Sequence, residues 1–250
     1  MSRSQRSTDF GFEEVPWEEK ADRVRDVFDS VSGRYDLMND LMSLGIHRAW
    51  KRFALARARL SEGDSGLDVA GGTGDLALGM ARKVGPSGRV VLSDINHSML
   101  ARGRDRLIDA GKAGNVSFCV GDAEHLPFPP AQFDCVTIGF GLRNVTDKLA
   151  ALRSMREILR PGGQVLILEF SKPVVPGLTP VYDLYSFKLL PMLGRAIAGD
   201  ADSYRYLAES IRMHPDQDAL EEMMIEAGFE NTGYHNLTGG IVALHFGYRL

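Results

Sequence analysis

Five short apolar runs mark the middle of the chain: residues 67–70 (LDVA), 89–94 (RVVLSD), 116–120 (VSFCV), 133–138 (FDCVTI) and 165–170 (VLILEF). They are near-continuous rather than alternating, which predicts strands covered on both faces by helices. The spacing predicts a helix over 97–110, starting at Asn96 or Ser98, with Met99, Leu100, Gly103 and Leu107 on one side. A second is predicted over 147–159, with Thr146 as its N-cap and Leu149, Leu152, Met155 and Leu159 buried; Pro161-Gly162-Gly163 then stops it. Strands alternating with helices imply a doubly wound α/β domain whose strands are joined by right-handed crossovers.

The two ends read differently. Residues 217–227 form a helix with Leu220, Met223, Met224 and Ala227 on its apolar face, closed by Gly228. Runs 229–237 and 241–249, joined around Gly239-Gly240, read as an antiparallel hairpin at the sheet edge. Residues 17–60 read as helical throughout. The expected organisation is a helical N-terminal extension over 1–60, placed to fold over a site, and a domain over 61–250. An apolar helical insertion is expected around 175–213.

Composition narrows the class. With 44% hydrophobic and 25% charged residues the chain is an ordinary globular one. A net charge of −4 argues against a nucleic-acid partner, because phosphate binding needs a basic surface. The two cysteines, Cys119 and Cys135, lie in apolar runs and read as buried strand residues of a reducing cytosol, not as a disulfide or metal pair. The first twenty residues are polar and acidic, unlike a signal peptide, and no uncharged apolar run reaches the ~18 residues of a membrane span. The expectation is a cytoplasmic protein, at most peripheral at the inner face of a membrane.

The candidate chemistry begins after the first strand, at Asp68-Val69-Ala70-Gly71-Gly72-Thr73-Gly74-Asp75. Glycines here let the chain turn sharply and let a ligand approach the backbone at the positive end of the next helix. Asp94, at the end of the second strand, is placed to accept hydrogen bonds from both hydroxyls of a ribose. The loop alone also fits a dinucleotide pattern, Gly72-x-Gly74-x-x-Ala77. Three further features favour S-adenosylmethionine. Asp68 is placed to order the loop and an amino group. Asp122-Ala123 follows the third strand, where an adenine amino group would lie. Arg160-Pro161-Gly162-Gly163 leads into the fifth strand. In this order and spacing the motifs resemble the seven-stranded, Rossmann-like S-adenosylmethionine-dependent methyltransferases, whose sheet also ends in an antiparallel hairpin.

A narrower resemblance rests on Tyr35-Asp36-Leu37-Met38-Asn39 with Ser43 and His47-Arg48-Ala49-Trp50, on Arg160–Gly163 through Glu169-Phe170-Ser171, and on Phe140–Asp147. Asp200–Leu207 and Met213-His214-Pro215-Asp216-Gln217 complete it. Over about residues 10–250 these segments are similar to the ubiquinone/menaquinone biosynthesis C-methyltransferases. The resemblance implies methylation of a ring carbon of a polyprenylated benzoquinol, and in some bacteria of demethylmenaquinol. It places cofactor contacts at Thr73, Asp94, Asp122, Ala123 and position 139, where serine is common and this chain carries Gly139, which keeps only a backbone contact.

Such a reaction needs a reduced ring, since a quinone is electrophilic, together with proton removal and stabilisation of the phenolate that develops. It needs no metal, and no His/Cys ligand cluster is apparent. Arg143, after the fourth strand, is expected to stabilise the quinolate oxygen and Asn144 to hold the ring. The alternative for Arg143 is a salt bridge or helix cap. Tyr35, Asp36 and His47 are the candidate bases, the alternative being a lid packed by Tyr35 and Trp50. Residues 181–198 are expected to cover a lipid acceptor or to pack as an ordinary helix. Arg48, Lys51, Arg52 and Arg59 share a helical face suited to anionic head groups or simply to solvent. A quinone-biosynthesis complex or a homodimer is compatible with these readings. The rivals are a dinucleotide-dependent oxidoreductase, a methyltransferase acting on another lipid, and a non-catalytic scaffold.

Overall fold

A computed structural model describes residues 6–31, 39–40, 42–112, 114–189, 192 and 201–250. In chain order the elements are β1 (Ser7–Phe10), β2 (Glu13–Pro16), α1 (Lys20–Val31), α2 (His47–Arg57), β3 (Ser65–Val69), α3 (Asp75–Lys83), β4 (Arg89–Asp94), α4 (His97–Asp109), β5 (Val116–Val120) and β6 (Phe133–Gly139). There follow α5 (Lys148–Ile158), β7 (Leu159–Phe170), α6 (Leu178–Leu184), α7 (Ala201–Met213), α8 (Gln217–Glu226), β8 (Glu230–Leu237) and β9 (Val242–Tyr248).

The main sheet has seven strands in the order β5-β4-β3-β6-β7-β9-β8. The first five pair in parallel, and β9 joins β7 and β8 antiparallel. The chain winds outward from β3 through β4 to β5, then returns to place β6 on the other side of β3. That reversal leaves a crevice at the carboxyl ends of β3 and β6. Period-two alternation sorts the strand residues: Leu166 and Leu168 pack into the core layer that holds Trp50 and Met80, while Val165 and Ile167 pack with Leu152 and Met155 on the opposite face. Each fully buried Leu of this kind contributes roughly 1.5–3 kcal/mol.

Local signals set the helix boundaries. The Asn96 side chain accepts from the Met99 N–H at 2.9 Å and starts α4, and Gly228, at φ +92°, follows α8. The N-cap of α5 is Asp147 rather than Thr146: Asp147 Oδ1 accepts the Ala150 N–H at 2.9 Å, while the Thr146 N–H is turned to Glu124 Oε1 at 3.1 Å. That helix ends at Ile158, ahead of Pro161, because Leu159 is already extended and pairs with Phe133 as the first residue of β7.

The N-terminal extension is not wholly helical. Residues 7–16 form the hairpin β1–β2, which Gly11 allows by taking φ +62°, and Phe10 stacks on Tyr206 with ring centroids 4.2 Å apart. Residues 58–60, after α2, are not helical either. Within the 175–213 insertion, α6 runs into a π-helical turn at Tyr185–Leu189. Phe187 in that turn stacks on Phe12 and lies under the Arg212 guanidinium, so this part packs against the hairpin and α7. Both cysteines are free; Cys135 is buried and Cys119 only partly so.

Candidate functional site

A cleft of about 850 Å³, open to solvent, occupies the crevice at the carboxyl edge of the sheet. Its walls include five residues expected from the sequence: Gly72, Asp94, Asp122, Ala123 and Asn144. Other wall residues come from two further sources, to which the sequence reading gave no binding role one by one. Asn96, Met99, Phe140 and Gly141 follow strands β4 and β6, while Val24, Arg25 and Phe28 belong to α1, which lies across the cleft. Only the i, i+4 spacing of Val24 and Phe28 hinted at an apolar face on α1.

The loop after β3 is shaped by close approaches. A Cβ on Gly71 would sit 2.4 Å from Leu92 Cδ1 and 2.7 Å from Asp68 Oδ2, so no side chain fits there. Gly72 has φ +55° and donates its N–H to Asp94 Oδ2 at 2.9 Å. Asp94 Oδ1 accepts the Asn96 N–H at 2.8 Å. The carboxylate keeps lone-pair capacity for a ligand hydroxyl. Burial pushes the Asp94 carboxyl up to about 6, against the pull of the backbone N–H groups of Asn96, Gly72 and Ile95.

Asp68 orders the loop from below. Its Oδ2 accepts the Ala77 N–H at 2.9 Å near the start of α3, and its Oδ1 accepts from Thr137 Oγ1 at 2.8 Å. It is fully buried, and desolvation pushes its carboxyl up to about 7. It is not among the cleft-lining residues, nor are Thr73, Gly74 and Gly139. Thr73 Oγ1 faces Arg106 Nη1 at 3.4 Å, and Gly74, at φ +78°, caps α3. Gly139 ends β6 with Leu76 Cδ1 only 2.8 Å from where a Cβ would stand; the cleft wall is made by the next two residues, Phe140 and Gly141. Asp75 lies between Lys51 and Arg106, each 2.6 Å away, and against the cost of burial these cations hold its carboxyl below the usual range.

These residues fit S-adenosylmethionine. Asp94 offers acceptors for a ribose. Asp122, with a half-exposed side chain whose Oδ1 takes the Glu124 N–H at 2.9 Å, offers a further acceptor next to Ala123 on the cleft wall. The cover is tied down at the same place: Asp29 Oδ1 on α1 accepts from Asn96 Nδ2 at 2.9 Å and from Ser98 Oγ at 2.8 Å. Among the described residues no group of three or more His, Cys, Asp or Glu side chains is placed to hold a metal ion.

Arg143 and Asn144 lie in the short turn Leu142–Asn144, and they face different ways. Arg143 is buried, donating from Nη1 to Glu169 Oε1 at 2.9 Å and to the Phe140 carbonyl, with its guanidinium 5.5 Å from the Phe170 ring centre. It lines a small second pocket with Lys20, Lys148 and Tyr206 instead of the main cleft. Lys20 and Lys148 both donate to the Val145 carbonyl, at 3.4 and 3.3 Å. Asn144 lines the cleft and accepts from the Tyr206 hydroxyl at 3.0 Å.

Of the three candidate bases, Tyr35 and Asp36 lie outside the described residues. His47 is buried at the start of α2, its Nε2 3.0 Å from Asp40 Oδ1 and its Nδ1 without a hydrogen-bond partner among the described residues. Burial lowers its pKa, against the hydrogen bond it makes to Asp40, so the ring is neutral near pH 7. One turn on, Trp50 packs against Phe140 and Phe170. The basic face of this segment is largely engaged locally: Arg48 pairs with Asp40, Lys51 with Asp75, and Arg59 lies over the Tyr248 ring.

Comparison with known proteins places this arrangement. Residues 17–249 match the sequence model of the ubiE/COQ5 methyltransferase family. The chain is 60% identical over 249 residues, covering all of both chains, to a Francisella philomiragia protein named ubiquinone/menaquinone biosynthesis C-methyltransferase UbiE. A protein of the same name from Cellvibrio japonicus is 62% identical over 244 residues, 98% of each chain. Among solved structures, a SAM-dependent methyltransferase from Aquifex aeolicus superposes with a TM-score of 0.62 at 15% identity, covering 86% of this chain and 98% of that one. A putative methyltransferase of Haloferax volcanii, solved with the Trm112 activator, gives 0.65 at 19% identity, covering 90% and 97%. At these identities the structural likenesses speak to the fold alone.

Proposed function

The chain belongs to the ubiE/COQ5 methyltransferase family, and from that premise we propose that it moves a methyl group from S-adenosylmethionine to a ring carbon of a polyprenylated benzoquinol or demethylmenaquinol. The observation that carries the reading is the cleft itself, which Asp94, Asp122 and Asn144 line together with Val24 and Phe28 of α1.

Bound S-adenosylmethionine supplies an electrophilic methyl group on sulfur, open to in-line attack by an electron-rich carbon. In this reading Asp94 holds the ribose, Asp122 and Ala123 border the adenine, and the Gly71–Gly74 turn keeps the backbone close to the ligand. Val24 and Phe28 exclude water, which strengthens every charge interaction within. Asn144 donates to the acceptor oxygen as that oxygen gains charge. The Arg143–Glu169 pair sets the turn that carries Asn144, and Arg143 adds a positive field from behind it. The hydroxyl proton passes to a base drawn from His47, Tyr35 and Asp36, and the ring carbon releases its own hydrogen as a proton when aromaticity returns; His47 is neutral near pH 7 and is not among the residues lining the cleft. Thr73, Gly74 and Asp68 build the loop, and Gly139 leaves room for Leu76.

The acceptor is dissolved in lipid, so peripheral contact at the inner face of the membrane from the cytoplasm belongs to the proposal, as does a place in a homodimer or a quinone-biosynthesis complex. Leu184, 58% exposed on α6, is a suitable point of contact. No helix among the described residues is long and apolar enough to cross a membrane.

The test is incubation with methyl-labelled S-adenosylmethionine and a short-tailed demethylated benzoquinol, with and without reductant, followed by mass spectrometry. Label on a ring carbon only under reducing conditions is the expected result. Label on oxygen, or none despite cofactor binding, overturns the proposal.

A further inference from the structure

Building on the reading just given, we infer that Tyr206 is a positioning residue of the transfer site, its hydroxyl fixing which end of the Asn144 amide faces the methyl acceptor. The phenol ring has little freedom. It is buried on α7 and stacked on Phe10 at an interplanar angle of 22°. From there its hydroxyl reaches the turn after β6 and donates to Asn144 Oδ1 at 3.0 Å.

The backbone beneath Asn144 is equally fixed. Its N–H donates to the Gly141 carbonyl at 3.1 Å, and Glu169 holds the preceding residue through both the backbone N–H and the guanidinium of Arg143. What remains open is rotation of the terminal amide, whose oxygen and NH2 ends are nearly alike in shape but opposite in hydrogen-bonding sense. With the oxygen held by the phenol, Nδ2 is the end left for the cleft that Asn144 lines. Donors aimed where an oxygen gains negative charge stabilise the transition state, whereas the flipped amide would set a carbonyl oxygen against it. Burial pushes the Tyr206 pKa well above that of an ordinary phenol, against the nearby positive charge of Arg143, so the hydroxyl keeps its proton across the working pH range.

The experiment uses the full chain with S-adenosylmethionine and the short-tailed demethylated benzoquinol under reductant, comparing Tyr206→Phe, Asn144→Ala and the double variant. Tyr206→Phe keeps the stack on Phe10 and removes only the hydroxyl. It is expected to lower kcat about tenfold, the equivalent of one lost hydrogen bond, while KM for quinol and Kd for S-adenosylmethionine stay within about twofold. In the Asn144→Ala background the same change should leave kcat unaltered, because there is no amide left to orient. An undiminished kcat in Tyr206→Phe, or an equal loss with and without Asn144, overturns the assignment. The Asn144 side-chain amide signal in 15N-labelled, cofactor-loaded protein gives a readout free of the reaction. It should shift or broaden in Tyr206→Phe, and an unchanged signal overturns the assignment. If the wild-type protein methylates no quinol, the proposed function falls and Tyr206 is judged on that signal alone.

Discussion

Glu169 holds Arg143 at two points: Oε1 takes the guanidinium Nη1 at 2.9 Å and Oε2 takes the backbone N–H at 3.2 Å, with the side chains 1% and 3% exposed. Removing one partner of such a pair leaves an uncompensated buried charge. Arg143→Ala is therefore expected to destabilise the fold by about 3–5 kcal/mol, and the paired change Arg143→Met with Glu169→Met by far less. Urea unfolding of the three proteins measures both. An Arg143→Ala variant as stable as the parent would mean that the pair does not set the turn.

Asp94 ties cofactor binding to pH. An acid whose carboxyl lies near 6 in the fold, against an ordinary 3.8, favours the fold most at pH below 3.8 and loses that contribution as pH rises through about 6. Ribose hydroxyls prefer the ionised form, so the shift in Tm produced by S-adenosylmethionine should grow between pH 5 and pH 7.5. Asp94→Asn should weaken binding and flatten the profile. A profile of the same shape in the variant would assign the titration to another group.

Gly103 is where α4 meets the loop after β3. A Cβ there would stand 2.5 Å from the Gly72 carbonyl oxygen and 2.6 Å from Leu92 Cδ2, and the first of these is backbone. Gly103→Ala should cost about 1–3 kcal/mol by overpacking and displace the Gly72 N–H from Asp94. Thermal unfolding and calorimetric titration should show both losses; a stable variant with intact affinity would place the loop further from α4.

The Asp29 strap across Asn96 and Ser98 holds α1 over the cleft. Asp29→Ala should speed release of S-adenosylmethionine several-fold, since hydrogen bonds of this kind contribute on the order of 1 kcal/mol each. Stopped-flow displacement reads the rate directly. An unchanged rate would mean that the ligand leaves by a route that α1 does not cover.

How much of this was legible in the sequence depends on how local each signal is. The strands and the terminal hairpin were legible because Leu67, Val136 and Ile167 sit in apolar runs that only a doubly covered sheet can bury. The places of Gly72, Asp94, Asp122 and Ala123 on the cleft wall were legible because each stands at or just past the end of a strand. The hairpin at residues 7–16 was not, since two four-residue strands carry little periodicity and Phe10 owes its place to Tyr206, far along the chain. For the same reason Val24, Arg25 and Phe28 gave no sign of lining a cleft whose floor is built from β3 to β6. Arg143 shows the converse limit. Its position after a strand pointed to the site, but its burial against Glu169 turns on a partner that lies in a different strand.

Trp50 Nε1 donates to Thr238 Oγ1 at 2.8 Å, across 188 residues of sequence, and Phe12 and Glu209 are joined over 197. Long-range closures of this kind form late, because the loop entropy is lost before the contact is gained. During synthesis the parallel strands emerge and pair first, while Phe12 and Trp50 wait for Glu209 and Thr238. A nascent chain stalled before Thr238 would already hold α1 over the cleft through Asp29, but would leave Trp50 Nε1 without its hydroxyl partner and β7 with an unpaired edge.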